Sequence, residues 1–448
     1  MKPSIPKGTR DFGPDQVDRR QYIFSVIRDA FIRYGYRPIE TPAMESLATL
    51  TGKYGEEGDQ LLFKILNNGD FLSKADEQAL ADRDSNRILP SISKRGLRYD
   101  LTVPFARFVV MNQNELSFPF KRYQIQPVWR ADRPQKGRYQ EFFQCDADVI
   151  GSDSLMYEAE LIRLYDQVFH ELGIPVEIRV NNRKLLAGLA AACGIGEYFL
   201  AMTMSIDKAD KIGWEGVRKD MIDRQIPAEG VDRVIQYLAD PDLEKLRPIL
   251  ADHPEGSLGL QEMDQVTEYL KDIALHNAWI LDLTLARGLN YYTGCIFEVK
   301  AVGVEMGSIG GGGRYADLTG VFGLQGMSGV GISFGADRIY DVMETMDLFP
   351  ASAVTSLQVL ICAFDAEDHR FGFGILNQLR DAGISADLYP EPVKMQKQMK
   401  YANALGVPFV LVIGEAERSS GLLACKDMRQ GSQEALDIQG VIARLTGS

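Results

Sequence analysis

"KRYQIQPVWRADRPQKGRYQEFFQCDADVI" spans residues 121–150, and its reading sets the architecture expected of the chain. Two runs of strand character flank a loop that carries Arg130, Arg133, Lys136 and Arg138. The simplest pairing is an antiparallel hairpin. Side chains alternate between the two faces of a strand. The even positions Arg138, Gln140, Phe142, Gln144, Asp146 and Asp148 include a cation, an aromatic ring, amides and two carboxylates, a poor core but a good ligand floor. From Phe143 onward the odd positions, Cys145, Ala147 and Val149, read as a core face. Arginine forks match phosphate oxygens and an aromatic face can stack a base, so the stretch predicts nucleotide binding. The plainer alternative is a solvated hairpin with scattered charges.

The cations of this loop sit in an acidic chain of net charge −13, which argues against wholesale coating of nucleic acid but leaves room for a local basic channel. At 448 residues the chain is too long for one ordinary core, and two or three domains are expected. No apolar run reaches the length of a membrane span, and "MKPSIPKGTRDFGP" lacks the apolar centre of a leader, so no membrane partner is expected. The five cysteines are far apart and form no CxxC pair, which predicts neither disulfides nor zinc and fits a reduced cytoplasm.

Upstream of the hairpin, apolar spacing from Ile23 to Tyr34 predicts a helix over 15–34, with Pro14 in its first turn and Gly35 at its stop. "YRPIETP" reads as a short strand, "LLFKILNNGDFL" as a hairpin around Asn68-Gly69, and the polar stretch 73–94 as a surface loop. Downstream, residues 183–278 carry helical periodicity with few strand signals, and 280–338 return to strands and glycine. "LFPASAVTS" looks like a linker. Beyond it, "LQVLICAF", "ISADLYP" and "PFVLVIG" alternate with helical stretches and predict a small α/β domain.

Three further stretches stand out. "RYDLTVPFAR" places Asp100 and Thr102 at one strand parity, "ARGLNYYTG" sets Arg287 just before Tyr291 and Tyr292, and "SIGGGGRYADL" runs four glycines together, Gly310 to Gly313. Glycine within a strand pattern marks a close approach of ligand or chain. A satisfied core aspartate, packing tyrosines and a flexible turn would explain the same residues. "GVGISFGADRI" has the form of an esterase nucleophile elbow at Ser333, but the only histidine after it is His369, in the separate C-terminal domain. It reads better as a close-packed strand entering a helix, with Arg338 in the first turns. No GxxxxGK[ST] loop is present.

Together these stretches resemble the class II aminoacyl-tRNA synthetases, and within them the histidyl-tRNA synthetase family. "FIRYGYRPIETP" resembles the first class motif, with Pro42 as its proline, "VWRADRPQKGRYQEFF" the second and "GVGISFGADRI" the third; "ARGLNYYTG" and "GGGGRY" resemble the histidyl signatures. The resemblance implies an α+β fold: an antiparallel sheet with flanking helices, an inserted helical domain and a C-terminal α/β anticodon-binding domain. The corresponding boundaries are 1–182 and 279–346 for the two parts of the catalytic domain, 183–278 for the insertion and 354–448 for the anticodon-binding domain. It further implies a cytoplasmic homodimer that joins L-histidine to tRNA(His), with ATP as co-substrate and Mg²⁺ beside it.

By the same resemblance, Arg130 bridges the histidine carboxylate and the α-phosphate, and Arg287 stabilises the pentavalent phosphorus. Arg138 and Arg338 would hold phosphates, and Phe142 would stack on adenine. Asp100, Thr102 and Gln144 would receive the amino group, while Asp148 and Tyr292 bracket the imidazole nitrogens and Tyr291 lines the pocket. Arg133 and Gln135 would meet the first base pair of the tRNA acceptor end. In the C-terminal domain, Lys394, Lys397 and Lys400 of "KMQKQMK" are either a solvated helix face or phosphate contacts near the anticodon. Asn290 departs from the family, which usually has Asp there.

A rival reading is a catalytically inert paralog that binds histidine and regulates ATP phosphoribosyltransferase. Such regulators lack the anticodon domain and tend to lose motif arginines. Here Arg130, Arg287 and Arg338 stand, and residues 354–448 are present.

Overall fold

The computed structural model describes residues 2–51, 60–286, 292–316, 318–354 and 357–447. They form two compact units, residues 1–350 and 351–448.

The first unit contains strands β1 (Arg37–Pro38), β2 (Met44–Ser46), β3 (Lys64–Leu66), β4 (Ser93–Leu97), β5 (Phe120–Trp129), β6 (Glu141–Ile150), β7 (Val176–Asn182), β8 (Ala278–Leu281), β9 (Tyr292–Ala301), β10 (Gly310–Tyr315) and β11 (Gly329–Gly335). Eight of them make one sheet in the order β1-β5-β6-β11-β10-β9-β7-β8, antiparallel from β5 to β7 with a parallel pair at each edge. The fold is α+β, built on this mainly antiparallel sheet.

One face of the sheet makes the core. The odd positions of β6 behave as the alternation predicts: Phe143 packs on Phe24, and Cys145, Ala147 and Val149 are buried. The helix Pro14–Arg33 covers them with Ile23, Phe24, Ile27 and Phe31; proline begins it and Gly35, at φ +78°, ends it. A second helix, Met156–Glu171, lies against the same face. Its Tyr165 donates to the backbone oxygens of Gly311 and Ser333, both at 3.0 Å. A Cβ on Gly310 would stand 2.8 Å from the Tyr165 ring, so the ring seats itself only where the strand has no side chain.

Between β7 and β8 run six helices, Arg183–Ala192, Phe199–Ile206, Ala209–Asp223, Ala228–Ala239, Leu243–Leu250 and Pro254–Leu270. Because β7 and β8 pair in parallel, the chain must cross over between them, and these helices are the crossover.

Three expectations need correction. Asn68-Gly69 does turn the chain, but no strand returns from it; β3 pairs instead with β4, far along the sequence, in a three-stranded sheet β2-β4-β3. The stretch 73–94 is no loop. It holds helices Glu77–Ala81 and Ser85–Ile92, capped by the carboxylates of Asp76 and Asp84, and its end starts β4. Asp100 and Thr102 do not share a strand, since the helix Thr102–Asn112 begins at Thr102 and the Asp100 carboxylate accepts from the Val103 amide at 3.2 Å.

The second unit is a five-stranded sheet in the order β13-β12-β14-β15-β16: β12 is Val359–Ala363, β13 Ala386–Leu388, β14 Phe409–Ile413, β15 Leu423–Asp427 and β16 Gln433–Leu436. The first three are the apolar runs singled out in the sequence. The last two form an antiparallel edge with no strong apolar signal of its own.

Candidate active site

Opposite the core, the even face of β6 opens into a cavity of about 310 Å³, within the range of small-molecule sites. Its floor is a grid set by strand register. Arg122 of β5, Asp148 of β6, Gly331 of β11 and Gly313 of β10 form one rung. Gln124, Asp146, Ser333 and Gly311 form the next, and Gln126, Gln144 and Gly335 a third.

In the first rung, Asp148 Oδ2 lies 2.7 Å from Arg122 Nη2, and Asp148 Oδ1 accepts from the Tyr315 hydroxyl at 3.0 Å. All three side chains are buried. Burial pushes the Asp148 carboxyl up from its usual range, while Arg122 and the Tyr315 hydrogen bond pull it down. Tyr315 is pushed well above its ordinary value, by burial first and by Asp148 next, so it stays a donor. Glycine at 331 is a steric requirement, since a Cβ there would lie 2.0 Å from Asp148 Oδ1.

The other end of the cavity is cationic. Arg130 leaves β5 with its guanidinium carbon 4.2 Å from the Tyr99 ring centre and 5.2 Å from that of Phe142, and its Nε donates to the Tyr99 carbonyl at 3.1 Å. Arg338, in the first turn of the helix Ala336–Thr345, donates through Nε to the Gly137 carbonyl at 2.7 Å and through Nη1 to that of Ser308 at 2.6 Å. Arg138 follows a turn at Gly137, whose φ is +72°, and stands 3.8 Å from Asp132.

A cluster centred on the buried Asp337 fixes the loop to that helix. Asp337 binds Arg10 and Arg20, the latter at 2.5 Å, and accepts from the Phe143 amide at 2.8 Å. Arg10 also stacks on Tyr139, with its guanidinium carbon 3.4 Å from the ring centre, and the Tyr139 hydroxyl donates to Asp341 at 2.7 Å. A residue near the chain start thus ties both walls of the cavity together.

The cavity is lined by Asp100, Thr102, Arg130, Arg138, Phe142, Gln144, Asp148, Tyr292 and Arg338, all singled out in the sequence. Arg133 and Gln135 lie apart, exposed on the turn of the 130–140 loop. Arg287, Asn290 and Tyr291 fall outside the described residues. Sequence reading missed Arg122, Tyr315, Arg10 and Asp337. Tyr315 closes the "GGGGRY" motif already quoted, and a polar even face on β5 was the available signal for Arg122.

Three comparisons bear on this site. A family model described as "Histidyl-tRNA synthetase" matches residues 8–339, and one described as "Anticodon binding domain" matches 358–447. The chain is 51% identical over 450 residues to the histidine--tRNA ligase of Bacteroides fragilis (strain YCH46), covering 99% of each chain. It is 52% identical over 441 residues to that of Porphyromonas gingivalis (strain ATCC BAA-308 / W83), covering 97% of each. Among solved structures, the histidyl-tRNA synthetase of Nostoc sp. PCC 7120 matches with TM-score 0.84 and 29% identity, over 100% of this chain and 99% of that one.

Proposed function

The chain belongs to the histidyl-tRNA synthetase family, and from that premise we propose that it attaches L-histidine to tRNA(His) through a histidyl-adenylate. The observation that carries the reading is the polarity of one cavity, with buried carboxylates at one end and the arginines of a loop and a helix start at the other.

The histidine carboxylate is already ionised and attacks the α-phosphate of ATP. A carboxylate–phosphorus bond forms, the bond to the bridging oxygen breaks, and pyrophosphate leaves. A hydroxyl at the tRNA 3′ end then attacks the histidyl carbonyl and releases AMP. The first step needs no general base, so the protein's work is positioning and neutralisation of charge on phosphate. Arg130 and Arg287 serve the reacting carboxylate and phosphorus, Arg138 and Arg338 the outer phosphates, and Phe142 the adenine face. Magnesium enters as part of the ATP complex.

Asp100, Thr102 and Gln144 take the substrate's amino group, and Asp148, Tyr292 and Tyr291 its side chain. Because Asp148 is anchored by Arg122 and Tyr315, it is presented as a fixed acceptor. A ligand without the matching ring N–H would leave it short of a donor, which penalises impostors heavily. Arg133 and Gln135 contact the acceptor end, and the second unit, with exposed Lys394, Lys397 and Lys400, the anticodon. The working form is a cytoplasmic homodimer.

Pyrophosphate exchange with ATP, run with each protein amino acid in turn, tests the reading. Exchange with histidine alone, lost in Arg287→Ala, is the expected result. Histidine binding without exchange would return the regulatory paralog, with Asn290 the first residue to examine.

A further inference from the structure

Asp146, in the middle rung of the floor, has no part in the scheme above. It lines the cavity and is 3% exposed. Its Oδ1 has no hydrogen-bond partner among the described residues, and neither does Oε1 of Gln144, two residues away on the same face. Gln144 Nε2 donates to Ser333 Oγ at 3.1 Å, and the Ser333 hydroxyl favours the ionised form of the neighbouring Asp146 carboxyl. Two buried acceptors in the lining of one cavity are therefore without a donor among the described residues. A buried acceptor without a donor is destabilising, so the pair fits a ligand that brings N–H groups. A cation fits better than a neutral amide, because Asp100 and Asp148 lie nearby, with Arg122 the chief opposing charge.

We propose that Asp146, ionised in the complex, receives the α-ammonium of the amino-acid substrate together with Gln144 Oε1. The proposal rests on reading the cavity as a histidine site. The groups facing Asp146 are Arg122 from β5, Asp148 from its own strand, Asp100 and Arg98 from the segment before the helix Thr102–Asn112, Tyr165 from beneath, and the neighbouring Cys145. Burial, opposed chiefly by Arg122, pushes its carboxyl up to about 7. The empty site thus holds a proton on Asp146 in a fraction of molecules at neutral pH. The arriving ammonium sends that proton to solvent, and the site's charge stays balanced.

Asp146→Asn keeps the shape and the contact to Ser333. It is expected to raise the KM for histidine roughly ten- to a hundredfold, the loss of a charge-assisted hydrogen bond, while the KM for ATP holds. The decisive ligand is 3-(imidazol-4-yl)propionate, which has the ring and carboxylate but no ammonium. Its inhibition constant should be the same in wild type and Asp146→Asn; equal weakening of both ligands would reduce Asp146 to a structural role and overturn the proposal. Titration calorimetry of the unmodified protein near pH 7, in two buffers of different ionisation enthalpy, gives a second reading that needs no variant. Histidine should release more protons than the propionate, and equal release would overturn the proposal. Loss of histidine-dependent exchange in the wild type would instead sink the functional reading itself.

Discussion

The two ends of the cavity are built on different principles. At the carboxylate end, Arg122, Asp146, Asp148 and Tyr315 stand on strands and their neighbours are dictated by register, as in the Arg122–Asp148–Gly331 rung. At the arginine end, Arg130, Arg138 and Arg338 sit at a strand exit, on a loop and at a helix start, and two of them are held by backbone carbonyls. The first end suits discrimination, where a fixed buried acceptor penalises the wrong ligand. The second suits polyanions, where charge matters more than a single geometry. Alterations at the first end should therefore damage stability and selectivity, and those at the second should damage phosphate binding with little effect on the fold.

The strongest challenge to this contrast is Asp148→Asn. It leaves Arg122 buried beside a neutral amide, and loss of about 3–5 kcal/mol in stability is expected, measured by denaturant unfolding. A variant as stable as the wild type would show that the rung is not the anchor described. Gly331→Ala comes next. A methyl group 2.0 Å from Asp148 Oδ1 must displace the carboxylate, and histidine-dependent exchange should fall roughly a hundredfold.

Arg338→Ala probes the other end. Its guanidinium is partly exposed and held by carbonyls, so a rise of about tenfold in the KM for ATP is expected, with histidine affinity and unfolding midpoint nearly unchanged. Substantial unfolding in this variant would erase the distinction between the two ends.

The smallest effect concerns pH. Asp146 is raised in the folded state, so the unfolded chain gives up its proton first as pH rises. The stability this group adds at acid pH is lost between about 4 and 7, and above that window its burial as an anion is a cost. The Asp146→Asn protein should therefore be less sensitive to pH across that window, and more stable than the wild type in alkaline buffer without ligand. Parallel melting curves of the two proteins against pH would contradict the assignment.

The hairpin 120–150 was legible because alternation is a local property. Once β6 was read as a strand, its even and odd faces followed residue by residue, and Phe142, Gln144, Asp146 and Asp148 could be placed on one floor. The helix over 14–33 was legible for the same reason, through its periodicity and terminal residues. The region 60–97 was not. A turn-like Asn-Gly pair outweighed two aspartate caps, while the partner of β3 lay beyond two short helices.

From residue spacing and the motif resemblance alone came the floor, the cationic loop, the helical block and the order in which the site's parts occur along the chain. Only the tertiary structure decided the register of the hairpin and which strands lie beyond it, and hence that Asp148 meets Arg122 and Tyr315, that a glycine must lie at 331, and that Arg10 ties down Asp337. The reason is physical. Which way a side chain points depends on the few residues around it, whereas what it touches depends on strand pairings between segments nearly two hundred residues apart, and those are settled by the packing of the whole core.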